Sequence, residues 1–205
     1  MNNIEVNFNN LTENERKQLL SLVEKSNKGV MLSKLKKGET FKIGDIEFIK
    51  FYDTLMGGTV AVTKDIVFNS EFGKNNNFGE SKILSRLYDE FLPKLENIIG
   101  KGNILNVTTD LTTLDGLKPY GDLEAKITLP TFDFYRKNVD IFDKYPVNEW
   151  WWTATPESAK PHDEPNWITC VSPFGDFNHD NFSNIGFGVR PLLHFVSSIS
   201  VSRCE

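Results

Sequence analysis

The stretch "NEWWWTATP" sets Trp150, Trp151 and Trp152 in immediate succession, and no other segment restricts the fold so tightly. In an extended strand successive side chains point to opposite faces, so Trp150 and Trp152 share one side and Trp151 takes the other. Large rings on both faces need cover on both faces. The strand therefore belongs in the middle of a layered fold, with the three tryptophans as structural residues. An exposed aromatic platform for sugars is the functional alternative, and rings on both faces weigh against it.

A chain of 205 residues can bury a full core as one domain, or as one domain with an appendage. With 39% apolar and 25% charged residues it has the composition of a folded soluble protein. The net charge of −5 argues against a nucleic-acid partner, which usually needs a basic surface. No run of about 18 apolar residues occurs, so membrane insertion is not expected, and "MNNIEVNFNN" does not read as a signal peptide. Cys170 and Cys204 lack the spacing of zinc ligands and read as free thiols of a reducing compartment.

The amino-terminal segment "LTENERKQLLSLVEKSN" opens with Thr12 and Glu15 spaced as a capping box. A helix over 13–25 follows, with Leu19, Leu20 and Val23 on one side. So short a stripe must dock on the body, pair with another copy or fray, which makes this helix a candidate surface for a homo-oligomer. The lysine-rich "KSNKGVMLSKLKKGET" reads as a solvated linker. Residues 1–29 are then a helical appendage and linker, and 30–205 the main domain.

In the main domain "TFKIGDIEFIKFYDT" alternates with period two, breaks at Gly44-Asp45, and leads through "MGG" into "TVAVTKDIVF", an antiparallel meander. Phe41, Ile43, Ile46, Phe48 and Phe51 are its inward candidates. "ESKILSRLYDEFLPKLENIIG" returns to helical spacing, with Ile83, Leu84, Leu87, Tyr88, Phe91 and Leu92 on one face, disturbed at Pro93 and ended at Gly100. It predicts a helix covering a sheet. "TFDFYRKNV" predicts a second short helix capped by Thr131. "NWITCVSPFGDFN" reads as a hairpin turning at 173–176 and "VRPLLHFVSSISVS" as the closing strand, with Pro191 at an edge or at the strand's entrance. The architecture expected is α+β, mainly antiparallel, with one or two covering helices.

The order "GETFKIGDIEF", covering helix, "DLTTLDGLKPYG", "LPTFDFYR", "EWWWTATP", hairpin and "GFGVRPLLHF" resembles a family of uncharacterised domains common in bacterial prophages. That family is similar to the C-type-lectin-like fold of phage receptor-binding proteins and of sulfatase-modifying, formylglycine-generating proteins. The likeness spans about residues 38–202, and "SNIGFGVRP" echoes a segment near the end of formylglycine-generating enzymes. It implies a last strand pairing back to the first strands, with Gly186 and Gly188 allowing close approach. Arg190 is then a buried structural cation paired with a carboxylate. The formylglycine-generating activity needs two cysteines close together near the last strand, which Cys170 and Cys204 do not supply.

No other constellation makes an enzyme. His162, His179 and His194 are scattered, and His194, between Leu193 and Phe195, reads as a satisfied, partly buried histidine. Asp110 and Asp115 read as turn residues. "DFNHDNFSN" has the oxygen content of a calcium loop without the spaced carboxylates of an EF-hand. No cofactor or metal is expected. The reading is a non-enzymatic phage or prophage module, in the bacterial cytoplasm or on a virion, that recognises a protein or carbohydrate partner. Its ligand-binding candidates are His162, Trp167, Asp176, His179, Asp180 and Asn181, in the polar segments 157–166 and 174–184. The alternatives are an intracellular phage inhibitor of a host defence protein and a degenerate formylglycine-generating-like enzyme.

Overall fold

The computed structural model describes residues 12–18, 29–159 and 167–204. Residues 13–18 are helical (α1). The capping box closes this helix: the Thr12 amide donates to Glu15 Oε2 at 2.8 Å and the Glu15 amide to Thr12 Oγ1 at 3.4 Å. Leu19, Leu20 and Val23, with the expected end of the helix at Lys25, lie outside the described residues.

The body is α+β, with mostly antiparallel strands. Its first half holds β1 (Val30–Met31), β2 (Thr40–Ile43), β3 (Ile46–Asp53), β4 (Gly58–Thr63), β5 (Phe68–Asn69), β6 (Ile104–Leu105) and β7 (Val107–Asp110). The second half adds β8 (Asp122–Ala125), β9 (Ile127–Thr128), β10 (Trp151–Pro156), β11 (Trp167–Val171), β12 (Phe177–Asn181), β13 (Gly188–Val189), β14 (Leu192–Val196) and β15 (Ser200–Arg203). Eight strands form a curled half-barrel in the order β1-β15-β2-β3-β4-β14-β6, with β9 also on β14. Five form a second sheet, β12-β11-β10-β13-β5, and β7 pairs with β8.

The expected meander is present as β2, β3 and β4, and both faces of β3 are covered. Phe41 and Phe48 stack at 5.4 Å and meet Phe195 edge-on in the larger core cluster. Ile49 and Phe51 face the other way, into a cluster with Phe142, Trp151 and Leu192. The tryptophans divide between the same clusters: Trp152 lies in the first, with Trp150 packed against it, and Trp151 in the second. Trp150 falls just before β10, and its carbonyl accepts from the Gly188 amide at 2.7 Å. Lys50, on β3, is buried, and its ammonium donates to Leu32 O at 3.0 Å and Asp53 Oδ2 at 2.7 Å.

The covering helix is interrupted. α2 (Lys82–Arg86), begun by Ser81 accepting from the Leu84 amide, passes through a π-helical turn at Leu87–Phe91 into α3 (Leu92–Ile99). Pro93 has no amide to continue an α-helical ladder, and the wider turn before it absorbs the mismatch. Tyr88, expected inward, is partly exposed, and its hydroxyl accepts from the Lys126 amide. Thr131 caps α4 (Phe132–Lys137) as expected, and α5 (Val139–Lys144) follows, so a helix pair covers the second cluster.

The expected closing strand is divided. β13 belongs to the five-stranded sheet and β14 to the half-barrel, so Arg190 and Pro191 are the corner where the chain changes sheets. Pro191 needs no amide partner there, and its carbonyl accepts from the Thr63 amide at 3.0 Å. A Cβ on Gly188 would stand 2.3 Å from Ile66 Cδ1, so the close approach requires glycine. At Gly186 the nearest atom would be 3.4 Å away, and no such demand exists.

Candidate functional site

The segment 174–184, expected as a ligand loop, contains β12, an edge strand of the five-stranded sheet. Its register with β11 pairs Trp167 with Asn181, Ile168 with Asp180 and Thr169 with His179. Pairing fixes the faces: Trp167, His179 and Asn181 share one, while Asp180 lies with Ile168 and Cys170 on the side of the larger core cluster. Asp176 sits at the turn, at the far end of the hairpin from Trp167, where its amide donates to Ser172 Oγ at 3.0 Å. The candidates are thus only partly gathered, and His162 lies outside the described residues.

Trp167 is 42% exposed and meets the His179 ring edge-on at 5.1 Å. His179 Nδ1 lies 2.9 Å from Glu157 Oε1, which holds the imidazole across the ring. The chain beneath is fixed from the core. Asn76, fully buried, donates to the carbonyls of Ser158 at 2.8 Å and Trp167 at 3.2 Å, and its own oxygen accepts from Tyr120 Oη at 2.6 Å. One amide side chain thereby clamps both ends of the segment between Ser158 and Trp167. Ser158 Oγ also donates to Asp115 Oδ2 at 2.8 Å. Neither Asn76 nor Tyr120 stands out in the sequence, because a buried amide acting on distant carbonyls leaves no local pattern.

The polar side chains along β12 serve its own backbone. The His179 amide donates to Asn178 Oδ1 at 2.8 Å and the Asn181 amide to Asp180 Oδ1 at 2.6 Å. Asn181 Oδ1 accepts from the Ser183 amide and hydroxyl. An edge strand with free amides invites another strand to pair, and here two of them are occupied. What remains for recognition on this side is the side-chain face of Trp167, His179 and Glu157.

The corner at Arg190 borders a hollow of about 180 Å³, lined by Tyr135, Phe142, Asp143, Val147, Trp151 and the turn at Ser172–Gly175 among others. Arg190 is 1% exposed, and in place of the expected ion pair with a carboxylate, which none of the described residues forms, the Asp65 carboxylate acts on it only through space. Its Nε donates to Thr63 O at 3.3 Å and Nη2 to Lys64 O at 2.8 Å. The guanidinium also lies over Phe142 at 5.3 Å and Trp151 at 5.2 Å. The corner supplies carbonyls because β4 ends beside it. Loss of water lowers the Arg190 pKa to about 10.

His194 is partly buried, as expected. It lines a hollow with Tyr52, Thr108, Asp110 and Thr131, and neither ring nitrogen has a hydrogen-bond partner among the described residues. Burial pulls its pKa down to about 4. Asp110 accepts from the Thr112 amide at 2.9 Å and Asp115 from Thr113 Oγ1 at 2.5 Å, both serving their own turns. Cys170 is buried in the core, which raises its thiol pKa to about 12, and both cysteines are free. Among the described residues no group of three or more His, Cys, Asp or Glu side chains is placed to hold a metal ion. No helix among them is long and apolar enough to cross a membrane.

No family model matches the chain, and no curated protein or solved structure does either. The likeness to lectin-like and formylglycine-generating domains therefore rests on the sequence motifs alone.

Proposed function

We propose that this chain is a non-enzymatic binding module of phage or prophage origin, with a C-type-lectin-like body that recognises a protein or carbohydrate partner. It works in the bacterial cytoplasm or on a virion. The single observation that carries the reading is Trp167, a large amphipathic ring left partly exposed and held against His179 on a clamped strand. A pre-set aromatic of this kind supplies contact area at little loss of entropy, the property of recognition anchors. The polar groups around it are engaged within the protein, which favours recognition over acid–base chemistry.

Capture experiments with host lysate and envelope fractions test this. Wild-type protein and Trp167→Ala are immobilised in parallel and the bound material is compared by mass spectrometry and glycan analysis. The expected result is a protein or glycan retained by the wild type and lost from the variant. Identical profiles would move recognition to another surface.

A further inference from the structure

An arginine withdrawn from water without a carboxylate is an unbalanced charge, and burial of such a group is unfavourable unless a counter-charge arrives. Arg190 approaches that position: no carboxylate among the described residues forms an ion pair with it, and Asp65 supports its charge only through space. Of the five N–H donors of a guanidinium, two meet the Thr63 and Lys64 carbonyls, and Nη1 has no partner among the described residues. Thr63 Oγ1 is the one side-chain nitrogen or oxygen among them that is both fully enclosed and unpartnered. Arg190, though only 1% exposed, is one of the residues that line the hollow, so the donors not met by carbonyls are what it has left for a ligand there.

We propose that this hollow is a binding site for a small carboxylate with a short apolar or aromatic tail. Carboxylate oxygens match the planar fork of arginine better than a spherical anion does. The walls beside the fork are the faces of Phe142 and Trp151, themselves stacked at 5.5 Å, with Tyr135 and Val147. The hollow, of about 180 Å³, limits the ligand to a carboxylate with a single ring or a short chain. Asp143, exposed on the rim, repels an anion lying high in the hollow. The carboxylate accordingly enters first, and the rim disfavours a second negative charge. The site is separate from Trp167, and its test is independent of the recognition surface.

The probes are benzoate and its neutral isostere benzamide, with a short peptide carrying either a free or an amidated carboxy terminus. Benzoate should raise the melting temperature of the full chain saturably, by about 3–6 °C at ten times its Kd, and perturb tryptophan fluorescence, while benzamide does neither. A response to the free-acid peptide alone would locate the natural carboxylate on a partner chain; a response to benzoate would locate it on a small molecule. Arg190→Met should abolish the response. Should that variant fail to fold, Val147→Phe fills the hollow while leaving Arg190 in place, and should abolish it as well. Equal effects of benzoate and benzamide, no response to any acid up to about 10 mM, the weak end for so small a ligand, or full retention in the variant that folds would each overturn the proposal.

Discussion

At the scale of single residues, burial decides what each side chain does. Trp151 is 2% exposed and closes the second core cluster against Phe142, Tyr135 and Arg190. Trp151→Ala should lower stability by about 3–5 kcal/mol, the range for removing a large buried aromatic, as read from chemical denaturation. His194 makes a second case. Its pKa of about 4 in the folded chain lies below the value of about 6.5 expected when unfolded, so the unfolded chain binds the proton more readily. The associated stability is present above about pH 6.5 and is lost progressively as the pH falls toward 4. Between pH 6.5 and 5, before most carboxylates titrate, His194→Gln should show a shallower loss of stability than the wild type. Equal slopes would contradict this. The tryptophan pattern was legible because strand alternation is a local rule. The surroundings of Arg190 and His194 were not, since residues distant in sequence supply them: Thr63 and Lys64 in one case, Tyr52 and Thr108 in the other.

Among the elements, β12 most changes the expected picture. Its residues are polar enough to read as loop, yet their side chains fasten the backbone of an edge strand. Alternation failed as a guide here because neither face of the strand is fully buried: Asn178 and His179, on opposite faces, are both exposed. Replacing Asn178 and Asp180 together by Ala frees the His179 and Asn181 amides. The doubly substituted protein should self-associate with rising concentration, as measured by light scattering, while its melting temperature stays close to that of the wild type. A variant that remains monomeric would show that these side chains do not guard the edge. The π-helical turn before Pro93 was equally hidden: the sequence announces a disturbance there but not how the helix absorbs it.

For the whole molecule, the Arg190-Pro191 corner joins the two sheets, and the two core clusters lie on opposite sides of β3 and β10. The body begins with β1, paired with β15 near the carboxy terminus. Deleting residues 1–28 leaves this pairing intact and should yield a folded protein with a single cooperative transition, measured by calorimetry; aggregation of the truncated chain would assign the amino-terminal helix to the main core. The α+β character and the meander followed from periodicity, whereas the allocation of strands to two sheets depended on long-range pairing that no local pattern specifies. If recognition runs through the Trp167 face, the affinity of the captured partner must differ between wild type and Trp167→Ala. The variant should bind with at least about a 30-fold weaker Kd, as for an anchor worth about 2 kcal/mol, with the melting temperature unchanged; equal affinities in two equally folded proteins would place recognition elsewhere.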